Sequence, residues 1–123
     1  EEDYRNRFPA LFLCEDGHRV RSTHEKIVDD WLYRHRVPHA YEPVLALQTE
    51  LIPDFAVHRP NGEAVYLEYW GMIQDPVYRD RCSRKKRVYA QLQLPLIELI
   101  PNHLHSIDVT LPKRLREEGV QFK

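Results

Sequence analysis

Asp54 and Glu68 are carboxylates placed where packing favours apolar side chains. Asp54 lies inside Leu51-Ile52-Pro53-Asp54-Phe55-Ala56-Val57, and Glu68 lies inside Val65-Tyr66-Leu67-Glu68-Tyr69-Trp70. A carboxylate withdrawn from water is unfavourable, or takes up a proton, unless a partner compensates its charge. A divalent cation is one such partner. Two carboxylates on adjacent strands, joined by Glu25 from a flanking helix, offer the hard oxygen ligands that Mg²⁺ and Mn²⁺ prefer. Two blander readings stay open at this point. Glu25 also completes a capping box with Ser22, and Asp54 and Glu68 also suit the exposed faces of half-buried strands.

Such chemistry needs elements that hold the acids in place. Ser22 reads as an N-cap with Glu25 three residues later, and Ile27, Val28, Trp31 and Leu32 carry a helix toward Val37, where Pro38 stops it. Glu25 lies at the edge of that apolar arc, whereas Asp29 and Asp30 point elsewhere. Upstream, Ala10 to Cys14 reads as a short strand closed by a turn at Asp16 and Gly17. Downstream, Ala40 to Leu47, Ile52 to His58 and Ala64 to Trp70 read as consecutive antiparallel strands, the last two joined by a turn at Pro60, Asn61 and Gly62. Asp75 and Pro76 open a second long helix running to about Leu92. Leu94 to Ile100 reads as a buried strand, and a last helix is expected from near Thr110 to Gly119. This order predicts an α/β sandwich.

On the second helix, Tyr78, Cys82, Lys85, Tyr89 and Leu92 fall within about 80° of one another, with Lys85 in the middle of an otherwise apolar stripe. An ammonium on that side is unfavourable unless it reaches carboxylates or a phosphate, or snorkels to the rim. Arg84, Lys86 and Arg87 point away from the stripe. With Arg79 and Arg81 they make a basic surface suited to phosphates, although a solvated charged face has the same composition. His103 and His105 lack a third spaced ligand, so no zinc site is expected there. Trp31, Tyr33 and Tyr89 read as core, and Cys14 and Cys82 as small buried apolar residues.

Composition limits the partners. Among 123 residues, 18 Lys and Arg face 19 Asp and Glu, so the chain is no polycation that coats nucleic acid by bulk charge. Charge is nonetheless uneven. From Tyr78 to Arg87 six basic residues face one acidic, whereas from Ala40 to Trp70 five acidic face one basic. Two cysteines are too few for a disulfide framework, which points to a reducing, cytoplasmic setting. The apolar runs are too short for a membrane span. No repeat or linker divides the chain, so residues 1–123 read as one domain. The start on Glu1 suggests a module of a longer polypeptide or a processed start.

In element order and acidic residues the chain resembles the PD-(D/E)XK nuclease superfamily, the restriction-endonuclease-like fold. Pro53-Asp54 matches its first half-motif, Glu68 the acid of its Glu-x-Lys, and Glu25 its helix acid. The runs Asp16-Gly17-His18-Arg19-Val20-Arg21-Ser22 and Tyr66-Leu67-Glu68-Tyr69-Trp70-Gly71 look like a small bacterial branch of nuclease modules. The branch carries Glu-Tyr-Trp-Gly in place of Glu-x-Lys. The resemblance covers roughly Asp16 to Ile100 and implies a core of helix, three strands, helix and strand, here followed by a C-terminal helix. It also implies a metal-dependent phosphodiesterase acting on DNA. In that reading Asp54, Glu68 and the Tyr69 backbone carbonyl hold Mg²⁺ or Mn²⁺, and Glu25 orients a second metal or its water. Arg81, Arg84, Lys86 and Arg87 contact the nucleic acid, and further domains of a DNA-processing protein are partners.

One position departs from the pattern. Residues two apart on a strand share a face, so the superfamily's lysine would stand where this chain has Trp70. Either Lys85 supplies the charge from the second helix, as in some branches of the superfamily, or catalysis is lost. In the second case the domain docks nucleic acid or protein.

Overall fold

In β5 (Ala64–Tyr69), Val65 through Tyr69 are all buried, because a pleated strand turns successive side chains to opposite faces and here both faces are covered. The computed structural model describes residues 8–47 and 49–122, so the expected domain over 1–123 extends outside the described residues. The strand sits inside a four-stranded sheet of order β3 (Ala40–Tyr41), β4 (Phe55–His58), β5 and β6 (Leu96–Leu99). β3, β4 and β5 run antiparallel in sequence, as the meander predicts, and β6 lies parallel to β5. The parallel pairing needs a crossover, which α2 (Pro76–Gln91) provides.

Val65, Leu67 and Tyr69 pack with Phe55, Val57, Ile97 and Leu99 against α1 (Thr23–Arg34) and α4 (Ile107–Glu117), whose Val28, Leu32, Leu111 and Leu115 are fully buried. On the other face Tyr66 and Ala56 meet Tyr89, and Trp70 meets Tyr78 and Cys82, all three partners from α2. The result is a mixed α/β sandwich with the sheet between helices. A short helix, α3 (Pro101–His105), leads into α4. Among the described residues no helix is long and apolar enough to cross a membrane.

Several boundaries differ from expectation for backbone reasons. The strand expected to reach Leu47 stops at Tyr41, because Glu42 adopts φ 46°, in the left-handed region, and Pro43 offers no N–H. Pro53 and Pro95 likewise precede the starts of β4 and β6. α1 ends at Arg34, before Pro38, where Arg36 takes φ 58°. α4 begins at Ile107 instead of Thr110 and carries Pro112 buried inside it.

The largest correction concerns the faces of α1. Asp29 and Asp30, expected to point away from the core, are buried, whereas Ile27 is exposed. The cause is a hairpin of β1 (Phe12–Leu13) and β2 (Arg19–Val20), which packs on that flank of the helix. β2 had no counterpart in the sequence reading. Tyr33, read as core, is exposed, and so is Leu92 at the end of the α2 stripe.

Candidate functional site

The pairing of Phe55 with Leu67 sets Asp54 opposite Glu68 at the end of the β4–β5 ladder. Tyr69 N–H donates to Asp54 Oδ2 at 2.8 Å, so the aspartate accepts a bond from the neighbouring strand's backbone. Its own carbonyl accepts Glu42 N–H at 2.8 Å, which joins β3 to the same corner. Asp54 is half-buried. Glu68 is buried, with 1% of the residue exposed.

Glu25 reaches this corner from the first turn of α1. Ser22 Oγ accepts Glu25 N–H at 3.1 Å, the expected N-cap, and Glu25 Oε1 accepts Arg21 N–H at 2.9 Å. Tyr41 on β3 also donates its hydroxyl to Oε1 at 2.8 Å. Capping therefore accounts for only part of what this side chain does. Burial, reinforced by the charge of Asp54, pushes the Glu25 carboxyl up to about 7. Burial and then Asp54 also lift Glu68 well above the usual carboxylate range, although Lys85 and Tyr89 pull the other way. Asp54 thus acts electrostatically on both of the other acids.

Lys85 arrives from α2. Its Nζ lies 2.9 Å from Glu68 Oε1 and 2.8 Å from Oε2, with its side chain 13% exposed. Tyr89, one turn on, donates its hydroxyl to Glu68 Oε2 at 2.5 Å. Trp70 stands two residues after Glu68 and is buried. The Lys85 ammonium stands 5.9 Å from the Trp70 ring centroid, within range of a cation–π contact. Trp70 Nε1 donates to Glu98 Oε1 at 3.0 Å. The Tyr69 carbonyl accepts the Tyr78 hydroxyl at 3.4 Å, and the Tyr69 hydroxyl meets His24 Nδ1 at 2.9 Å, a neighbour the sequence reading did not single out.

The four basic residues expected to bind nucleic acid do not share one surface. Arg81 and Arg84 join Lys85, Thr49, Leu51 and Val88 around a cleft of about 420 Å³. Lys86 lies on the other side of α2, where its Nζ meets Glu98 Oε1 at 2.8 Å. Arg84 pairs with Asp80 at 3.5 Å, Arg81 stacks over the Tyr78 ring, and Arg87 is exposed. His103 Nδ1 accepts Ile100 N–H at 3.1 Å and caps α3.

Among the described residues, the donors that gather within 4.8 Å of one another in groups of three or more are not Glu25, Asp54 and Glu68. They are Asp16, His18, Asp29 and His39, and the trio Cys14, Asp29 and Asp30. In the trio, Asp30 already accepts Glu15 N–H and Lys26 Nζ, and burial with nearby carboxylates pushes the Cys14 thiol up to about 12. The four-residue group has only a weak trace in sequence: an Asp-Gly-His turn, and an aspartate one residue after Val28 and three before Leu32. Compared with protein-family models, with curated proteins and with solved structures, the chain matches none.

Proposed function

We propose that the chain is a Mg²⁺- or Mn²⁺-dependent phosphodiesterase that hydrolyses DNA, built on a restriction-endonuclease-like core and serving a larger cytoplasmic DNA-processing protein. One observation carries the reading. Asp54 faces Glu68 across the β4–β5 register, and Lys85 reaches Glu68 beside a cleft lined by Arg81 and Arg84. The donor set fits a hard divalent cation, since Asp54 and Glu68 are oxygen donors, and burial and then the charge of Asp54 lift Glu25 and Glu68, a charge that a cation would offset.

Asp54, Glu68 and the Tyr69 carbonyl would hold the ion, with Glu25 orienting a second metal or a water. When bound, the ion supplies a water of lowered pKa and neutralises charge growing on the scissile phosphate. Lys85 supplies the ammonium that Trp70 cannot, orienting the attacking water or stabilising charge on the phosphate from within a partly dry cleft. Tyr89 holds the Glu68 carboxylate in one orientation. Arg81 and Arg84 draw the DNA backbone toward Lys85.

A second reading has its own support. Both Glu68 oxygens are already engaged by Lys85 and Tyr89, and the side chain is closed off from solvent, as suits a structural ion pair in a docking module. Cleavage assays separate the two. Purified protein should cut single-stranded, duplex or branched DNA with Mg²⁺ or Mn²⁺ and stop in EDTA. DNA binding without cleavage of any of these substrates would select the docking module. Calorimetric titration should show Mn²⁺ binding that is lost in Asp54→Ala.

A further inference from the structure

On the flank of α1 that meets the β1–β2 hairpin, four donors converge from three segments: Asp16 and His18 from the hairpin turn, Asp29 from α1, and His39 from the link into β3. His18 Nδ1 lies 2.9 Å from Asp29 Oδ2 and 3.0 Å from Asp16 Oδ2. His39 Nε2 lies 2.9 Å from Asp16 Oδ2 and 3.3 Å from Asp29 Oδ2. We propose that Asp16, His18, Asp29 and His39 bind one zinc ion as a four-coordinate structural site.

The state of His39 separates this from an ordinary ion-pair cluster. Its Nδ1 lies 2.8 Å from the Val37 carbonyl, and because a carbonyl only accepts, the ring proton sits on Nδ1. In the neutral ring Nε2 then presents a lone pair to two anionic oxygens, a repulsive arrangement that a cation turns attractive. A backbone carbonyl fixing the remote nitrogen is also how metal-binding histidines are oriented. A proton on Nε2 would relieve the repulsion but would not supply a hydrogen bond. The His39 side chain is only 5% exposed, yet Nε2 makes no hydrogen bond, so neither nearby oxygen lies in line with an N–H there. Asp29 Oδ1 is buried and without a hydrogen-bond partner as well.

The donor types choose the metal. Two imidazole nitrogens with two carboxylate oxygens suit Zn²⁺ and not the all-oxygen preference of Mg²⁺ or Ca²⁺. Bonds of ~2.0–2.1 Å to zinc give tetrahedral edges of about 3.3 Å, and the separations of 2.9 to 3.3 Å fall at or just inside that size. Neutral imidazoles, two carboxylates and a divalent ion leave the cluster with no net charge in a region where Asp29 has no solvent access. Asp16 Oδ1 accepts His18 N–H at 2.9 Å, which shapes the turn that carries both ligands. Zinc here would clamp the hairpin to the helix that also carries Glu25.

The test uses untagged protein, since an affinity tag of histidines would itself take up zinc. Metal-free chain titrated with Zn²⁺ against a chromophoric chelator should bind one equivalent, and its melting temperature should rise by roughly 5 °C or more. Asp16→Asn/His39→Leu should lose that equivalent, whereas Asp54→Asn should keep it, which separates this site from the proposed catalytic one. Should the double variant fail to fold, cobalt substitution of the wild type decides. Intense visible d–d bands of four-coordinate Co²⁺ support the site, and the weak bands of a hexa-aquo-like ion overturn it. Failure of the wild type to compete for zinc also overturns it, as does undiminished zinc uptake by a folded Asp16→Asn/His39→Leu protein.

Discussion

Glu25 and Asp29 stand one turn apart on α1, both are buried, and they serve clusters of opposite character. Glu25 belongs to a corner of carboxylates that ends in Lys85 and a basic cleft. Asp29 belongs to a set of two carboxylates and two imidazoles in which Asp29 is buried and His18 is partly exposed. In the first cluster burial, and then the charge of Asp54, lifts Glu25 and Glu68, and Lys85 offsets part of this at Glu68. In the second, two imidazole rings and a second carboxylate face Asp29, whose side chain has no solvent access. The contrast teaches that a shared helix does not make a shared site. Exposure and donor type decide whether a cluster suits a labile hard cation beside substrate or a retained borderline one within the fold.

The proposed catalytic corner should break most completely at Glu68. Glu68→Ala is expected to lower DNA cleavage by about a thousandfold or more, because metal and lysine both act through it, while zinc uptake at the histidine cluster stays at one equivalent. Equal loss of both would merge the two sites. Lys85→Met keeps most of the stem and removes the charge. A fall of about a hundredfold in cleavage rate is expected, the scale of one lost transition-state donor, with Mn²⁺ binding retained. Near-normal cleavage would leave Lys85 as no more than Glu68's ion-pair partner.

The comparison is sharpened by stability measurements on metal-free protein. Asp54→Asn removes a charge that lifts both Glu25 and Glu68 yet keeps an oxygen to accept Tyr69 N–H, so the melting temperature should rise by roughly 2–5 °C. An unchanged or lower value would mean that Asp54 is held by hydrogen bonds that asparagine cannot supply. The smallest effect concerns the basic helix. Arg84→Ala, on the cleft beside Lys85, should weaken DNA affinity a few-fold and reduce its salt dependence, whereas Lys86→Ala, paired with Glu98 on the other side, should change affinity less. The reverse ranking would move the nucleic acid to the Lys86 side of α2.

The carboxylate corner was largely legible in the sequence because its parts lie inside strong local patterns. Asp54 and Glu68 interrupt strand-like apolar runs, and Lys85 interrupts a helical stripe whose buried members are Tyr78, Cys82 and Tyr89. Period and capping are properties of neighbouring residues, so α1, α2 and the three-strand meander could be drawn before any contact was known. Chain ends of the elements were less legible, since Glu42, Arg36 and Gln93 take left-handed backbone that their types do not advertise.

What only the tertiary structure decided is which surfaces meet. The exposure of Ile27 and the burial of Asp29 follow from a hairpin packing on α1, and no periodicity within the helix encodes a neighbour contributed by residues 12–20. The division of the basic helix between two sides has the same origin, because the strand that supplies Glu98 is placed by a crossover. His39 meets Asp16 only because the chain turns back at His35 and Arg36, bringing together residues whose separation in sequence carries no spacing signal. Local propensity acts over a few residues, whereas a site assembled from a turn, a helix and a link depends on packing energies that the whole chain shares.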